Sequence, residues 1–100
     1  MIKVSITYEG NDFKSLSVKG HAGSAEYGHD LVCSAVSAVV TGGFNNLQDI
    51  KYFKVRLEEG DAELEAVNEV NPHDNIVIET IISGLRTIAE SNPKFVKIIQ

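Results

Sequence analysis

Apolar residues along this chain recur with a period of two, change to a period of 3.6, and then repeat the whole alternation, which leaves few folds open. Ile2, Val4, Ile6 and Tyr8 alternate with Lys3, Ser5, Thr7 and Glu9. Successive side chains of a strand point to opposite faces, so this segment predicts a half-buried strand. Gly10-Asn11-Asp12 reads as a turn, with Leu16 and Val18 set between Ser15, Ser17 and Lys19 in a second strand. Residues 20–30 hold three glycines and no sustained period, which marks a loop.

The helical period starts next. Val32, Ala35, Val36, Val39, Val40, Gly43, Phe44 and Leu47 fall on one stripe, and Asp30 stands where an N-cap belongs. Gly42-Gly43 costs about 1 kcal/mol per glycine relative to alanine. The helix is therefore expected either to fray there or to pack closely against a neighbour. Phe53, Val55 and Leu57, a turn at Glu59-Gly60-Asp61, and then Ala62, Leu64 and Ala66 predict a second hairpin. Ile78, Ile81, Ile82, Leu85, Ile88 and Ala89 line a second helix, which runs roughly from Asp74 to Ser91 and is stopped by Asn92-Pro93. Phe95 to Ile99 reads as a last strand. The order β-β-α-β-β-α-β predicts an α+β fold, a mostly antiparallel sheet with the two helices packed on one face.

One hundred residues, of which 43% are hydrophobic, suit a single domain over residues 1–100 with no second core. The net charge of −5 gives no field for direct nucleic-acid or anionic-membrane binding. The alternating start lacks the apolar run of a signal peptide, and no stretch approaches the length of a membrane span. Cys33 is the only cysteine, so no disulfide can form within the chain, which fits a reducing cytoplasm.

The chemistry is concentrated between Gly20 and Ser37. With Asp30 as cap, Cys33 falls in the first turn of the helix, where unpaired backbone N–H groups favour a thiolate and could receive an oxyanion formed beside it. A thiolate nucleophile also wants a base nearby. His21, at the end of a strand that can aim it, suits this role better than His29, which lies at or outside the cap. Plainer readings stand beside these. A free cysteine is among the most often buried residues, and the glycines can be ordinary turn chemistry. A phosphate cradle fits neither standard glycine pattern and has no Lys or Arg. Metal binding by His21, His29, Asp30 and Cys33 offers only one half-site at ligand spacing. Ser34 and Ser37 read as helix residues close to the sulfur, and His73 as a solvated capping residue. Glu58, Glu59, Asp61, Glu63, Glu65 and Glu69 read as the solvent face of the second hairpin.

Gly20-His21-Ala22-Gly23, followed by Glu26-Tyr27-Gly28-x-Asp30-x-Val32-Cys33-Ser34-Ala35-Val36-Ser37, resembles the signature of the ribosomal-processing cysteine protease family (Prp) of Firmicutes and their relatives. Chain length and element order agree with that family over essentially the whole sequence. The resemblance implies a cytoplasmic endopeptidase that removes a short N-terminal extension from large-subunit ribosomal protein twenty-seven. It implies a homodimer using a Cys/His pair, with no metal or organic cofactor. By position, Cys33 would be the nucleophile and His21 the general base and then acid. Asp30 and Ser37 stand at further signature positions. Residues 22–30, with Gly23, Tyr27 and Gly28, correspond to the loop that would close over substrate. The rival expectation, from another class, is a non-catalytic ribosome-associated binding module that uses the acidic hairpin as its contact surface. A redox-sensing thiol is a third.

Overall fold

The structure is a computed structural model and describes residues 1–26 and 30–100. The expected order of elements is present: β1 (Ile2–Glu9), β2 (Asp12–Lys19), α1 (Leu31–Asn45), β3 (Phe53–Glu58), β4 (Asp61–Ala66), α2 (Pro72–Ser91) and β5 (Val96–Ile99), with a 3-10 turn at Ile50–Tyr52. The five strands form one sheet in the order β3-β4-β2-β1-β5. Three neighbouring pairs are antiparallel, while β1 and β5 run parallel, so the sheet is mixed. This makes the fold α+β.

Strand periodicity decides which way the sheet faces. Ile2, Val4 and Ile6, Leu16 and Val18, and Ala62, Leu64 and Ala66 are all buried in one cluster with Val36, Val40 and Phe44 of α1 and Val77, Ile78, Ile81, Ile82 and Leu85 of α2. Lys3, Thr7 and Lys54 are exposed, leaving the opposite face to solvent, as an antiparallel sheet permits. Tyr8 departs from the alternation that places it with Ile2, Val4 and Ile6, and is 42% exposed. The register of β1 against β2 shifts between Thr7 and Tyr8, and the bulge turns the end of the strand away from the core. Val55 and Leu57 are also exposed, because β3 is the outermost strand.

Close packing, not fraying, accounts for Gly43. The helix continues through it to Asn45, and a Cβ placed on Gly43 would lie 2.2 Å from Cγ1 of Ile81. The glycine thus lets α1 approach the buried Ile81 of α2 more closely than any side chain would.

The second helix starts two residues before the expected Asp74. Asn71 is its cap: its side chain accepts the Asp74 N–H at 2.8 Å, and Pro72 takes the first turn. His73 therefore does not cap the helix; its Nδ1 bonds to Asp74 Oδ1 at 2.9 Å. Asp74 itself is fully buried and accepts the backbone N–H groups of Gln48 at 2.8 Å and Asp49 at 3.0 Å. One carboxylate thus fastens the connection after α1 to the start of α2. Among the described residues, no buried side-chain nitrogen or oxygen is left without a partner, and no helix is long and apolar enough to cross a membrane.

Candidate active site

The first amides of a helix have no partners within it, and at α1 the N-cap Asp30 satisfies one of them with its side chain and opens the helical ladder with its carbonyl. Its Oδ1 accepts the Cys33 N–H at 3.0 Å, and its backbone carbonyl accepts the Ser34 N–H at 3.0 Å. The same carboxylate reaches back along the chain. Its Oδ2 accepts the Ser24 N–H at 2.9 Å, and its Oδ1 accepts the Ser24 hydroxyl. The Ser24 hydroxyl, and after it the Cys33 amide, hold the Asp30 carboxyl far below the usual carboxylate range. Burial opposes this shift, and the amides of Ser24 and Val32 reinforce it. The negative charge at Asp30 is therefore engaged in capping α1 and in pinning the segment after His21 to the start of the helix.

The second tie is made by the sulfur. Cys33 is half-buried, and its Sγ accepts the backbone N–H of Ala22 at 3.2 Å. Ala22 is buried, so the residue next to His21 is locked into the core while its amide faces the thiol. The end of β2 and the start of α1 meet here, although eleven residues separate Ala22 from Cys33 in sequence.

His21 occupies the last position before this lock. The Gly20 N–H donates to the Gly60 carbonyl at 2.9 Å, which carries the β2–β4 pairing one step past the strand. The His21 ring rests against the β3–β4 turn: a Cβ built on Gly60 would meet its Nε2 at 2.8 Å and its Cε1 at 3.0 Å. Among the described residues, no hydrogen bond joins the His21 ring to Cys33 Sγ, and none joins it to Asp30. The structure therefore relates imidazole and thiol through the Ala22 amide and not through a direct bond.

His21, Cys33, Asp30, Ser37 and Gly23 line one cavity of about 550 Å³, a volume typical of small-molecule and peptide-side-chain sites. Ser34 lines it too, one residue beyond the sulfur. Val36, Val40 and Leu57 form apolar wall. Tyr27, Gly28 and His29 lie outside the described residues, and with them two of the expected loop positions and one possible metal ligand. Among the described residues, no three His, Cys, Asp or Glu side chains stand together as a metal site.

Two features were not read from the sequence. Ser24 is the main partner of Asp30, a role for which a serine in a glycine-rich loop gives no spacing signal. Glu58, Glu59 and Asp61 line the cavity, although they read as plain solvent face. Their place depends on β4 pairing with β2, a non-local choice that the hairpin sequence does not announce. Asp61 is also held by Arg56, whose Nε donates to its Oδ2 at 2.9 Å, while Arg56 Nη2 reaches Glu63 at 2.8 Å. Of the helix-start amides expected to receive an oxyanion, that of Cys33 is already bonded to the Asp30 carboxylate; the main-chain donor at the sulfur is the Ala22 amide, bonded to Sγ itself.

A lone thiol on the first turn of a helix, in an open cavity shared with an imidazole, is the constellation that nucleophilic thiol chemistry requires. The comparisons agree with that class. The family model described as cysteine protease Prp matches residues 1–97, and the chain belongs to this family of cysteine-type hydrolases. The ribosomal processing cysteine protease Prp of Staphylococcus aureus (strain Mu50) is 32% identical over 98 residues, covering 90% of each chain. Its namesake from Bacillus subtilis is 43% identical over a shorter stretch of 47 residues, 47% of this chain and 42% of that one. In three dimensions, the crystal structure of an essential ribosomal processing protease Prp from S. aureus, in complex with a covalently linked product peptide, matches with a TM-score of 0.89 at 27% identity over 99% of this chain and 98% of that chain. The complex of that S. aureus protease with a substrate peptide matches with a TM-score of 0.81 at 26% identity, over 98% and 97%.

Proposed function

We propose that residues 1–100 form one cysteine endopeptidase domain in which Cys33 is the nucleophile and His21 the general base, and that its substrate is the N-terminal extension of large-subunit ribosomal protein twenty-seven. The reading is supported most by one observation: Cys33 Sγ at the helix start is bonded to the main chain beside His21, and Cys33 and His21 line one open cavity. The relatives' names and their peptide complexes support a peptide substrate drawn from ribosome processing. The family resemblance adds a homodimer at work in the cytoplasm, without metal or organic cofactor.

The chemistry follows from the groups present. His21 takes the proton from Cys33 Sγ, and the thiolate attacks the scissile carbonyl carbon. The carbonyl electrons move to oxygen, and the Ala22 N–H, already fixed beside the sulfur, is the main-chain donor placed to meet the developing oxyanion. As the C–N bond breaks, His21 returns its proton to the leaving amine. Water, deprotonated by His21, then attacks the thioester, and the sulfur leaves as thiolate. Asp30 acts on this sequence through structure: it keeps Cys33 in the first turn and holds Ser24, so that the loop residues Gly23 and Ala25 on either side of it line the cavity. Ser37, one helical turn after Cys33, faces the same space and is placed to touch the peptide.

The test is mass spectrometry of a synthetic peptide spanning the extension and the mature start of the host's ribosomal protein, incubated with the protein. A single new pair of fragments that meets at the extension boundary is expected. An intact peptide in the presence of the folded protein would remove the substrate assignment, and retained binding without cleavage would favour the non-catalytic module.

A further inference from the structure

Two hairpin turns of this chain place a glycine in the left-handed region, at Gly10 with φ +61° and at Gly60 with φ +70°. Backbone conformation gives both the same reason to be glycine. Their surroundings differ. A Cβ on Gly10 would meet nothing within 4 Å, whereas one on Gly60 would fall 2.8 Å from His21 Nε2 and 3.0 Å from His21 Cε1. Gly60 therefore meets a second demand, imposed by the imidazole lying against it.

We propose that Gly60 is a positioning residue for peptide cleavage: its bare α-carbon is the seat of the His21 ring, and any side chain there drives the base out of register with Cys33. The proposal rests on the reading of His21 as the general base.

Relief by a shift of the main chain is closed on both sides of His21. On one side, the Gly20 N–H is bonded to the carbonyl of Gly60 itself at 2.9 Å, so that the seat and the strand end move together. On the other, Ala22 is buried and its N–H is bonded to Cys33 Sγ. The turn is equally constrained, since Asp61 pairs with Lys19 on one side and with Glu58 on the other. A methyl group on Gly60 can then be accommodated only by rotation of the His21 side chain. A misplacement of about 1 Å in a catalytic group costs on the order of a hundredfold in rate.

The experiment compares Gly60→Ala with Gly10→Ala, which carries the same backbone strain at the far end of β2, and with His21→Ala. Cleavage of the extension peptide and the rate of Cys33 alkylation by iodoacetamide are measured on each folded protein. Gly60→Ala is expected to lose roughly a hundredfold in kcat/KM, and its alkylation rate to fall to that of His21→Ala. Gly10→Ala is expected to keep both within about twofold of wild type, since the turn it strains is remote from the site. Gly60→Ala with wild-type turnover beside an inactive His21→Ala would overturn the proposal, as would an equal loss in Gly10→Ala. An active His21→Ala would instead overturn the assignment of the base, and the seat with it. Should the alanine variants unfold, Gly60→Asn and Gly10→Asn repeat the comparison with a residue that tolerates positive φ.

Discussion

Replacing Cys33 with alanine is expected to lower kcat/KM for the extension peptide by at least about a thousandfold, the scale of loss when a covalent nucleophile is removed. The fold should survive the change. Cys33 is half-buried at the edge of the core, and its sulfur accepts one backbone N–H. Losing that acceptor leaves the buried Ala22 amide unpaired, at a cost of about 1–3 kcal/mol, which a domain of this size can bear. His21→Ala should lose roughly 10²- to 10⁴-fold, the usual worth of a positioned acid–base group. The double variant should be little worse than Cys33→Ala alone, since residues that act as one unit do not add. Separate, additive losses would mean that the two side chains do not work on the same step.

The largest effect on stability is expected at Asp74, far from the cavity. Its carboxylate is fully buried and accepts the amides of Gln48 and Asp49 and the side-chain amide of Asn71. Asp74→Ala leaves the two backbone amides without their acceptor, at about 1–2 kcal/mol each, or roughly 3 kcal/mol in all, while the Asn71 amide keeps its bond to Asp49. In a domain of this size that lowers the melting temperature by about 15 °C, measurable by thermal unfolding. Acid should act on the same contacts. Burial pushes the Asp74 carboxyl up, but the Gln48 amide, His73, and then the Asp49 amide and Asn71 outweigh it and hold it below its ordinary value. Asp30 is lowered as well. Both groups thus bind protons less readily folded than unfolded. Their contribution is complete above an unfolded value of about 3.9 and is lost as pH falls through the lower folded values. Urea midpoints should therefore fall steeply below about pH 4 in wild type and less steeply in Asp74→Ala.

Much of this architecture could be read from periodicity because each element buries one face. Ile2, Val4 and Ile6 fix one side of β1, and Ile78, Ile81, Ile82 and Leu85 one side of α2; all are buried as their spacing requires. Cys33, Asp30 and His21 could be found because a cap, a first helical turn and a strand end are local features. The rest depended on contacts between distant parts of the chain. Gly43 falls on the apolar stripe and Gly42 beside it, but the stripe does not reveal that the partner of Gly43 is Ile81. Tyr8 obeys the alternation and is turned outward by a bulge against β2. The acidic hairpin looks like ordinary solvent face until β4 pairs with β2 and brings Glu58, Glu59 and Asp61 to line the cavity. Likewise, Gly60 looks like a turn residue and nothing more until the fold lays His21 across it.

Because Cys33 is the only cysteine in the chain, one thiol reagent can test the central claim without any substitution. Methyl methanethiosulfonate adds a single S–CH₃ group, and dithiothreitol removes it. Peptide cleavage is measured as the fraction of modified protein, followed by intact mass, rises from zero to one equivalent. If Cys33 is the nucleophile, activity falls in direct proportion, reaches zero at full modification, and returns on reduction. Turnover by fully methylthiolated protein would contradict the account and place the chemistry elsewhere.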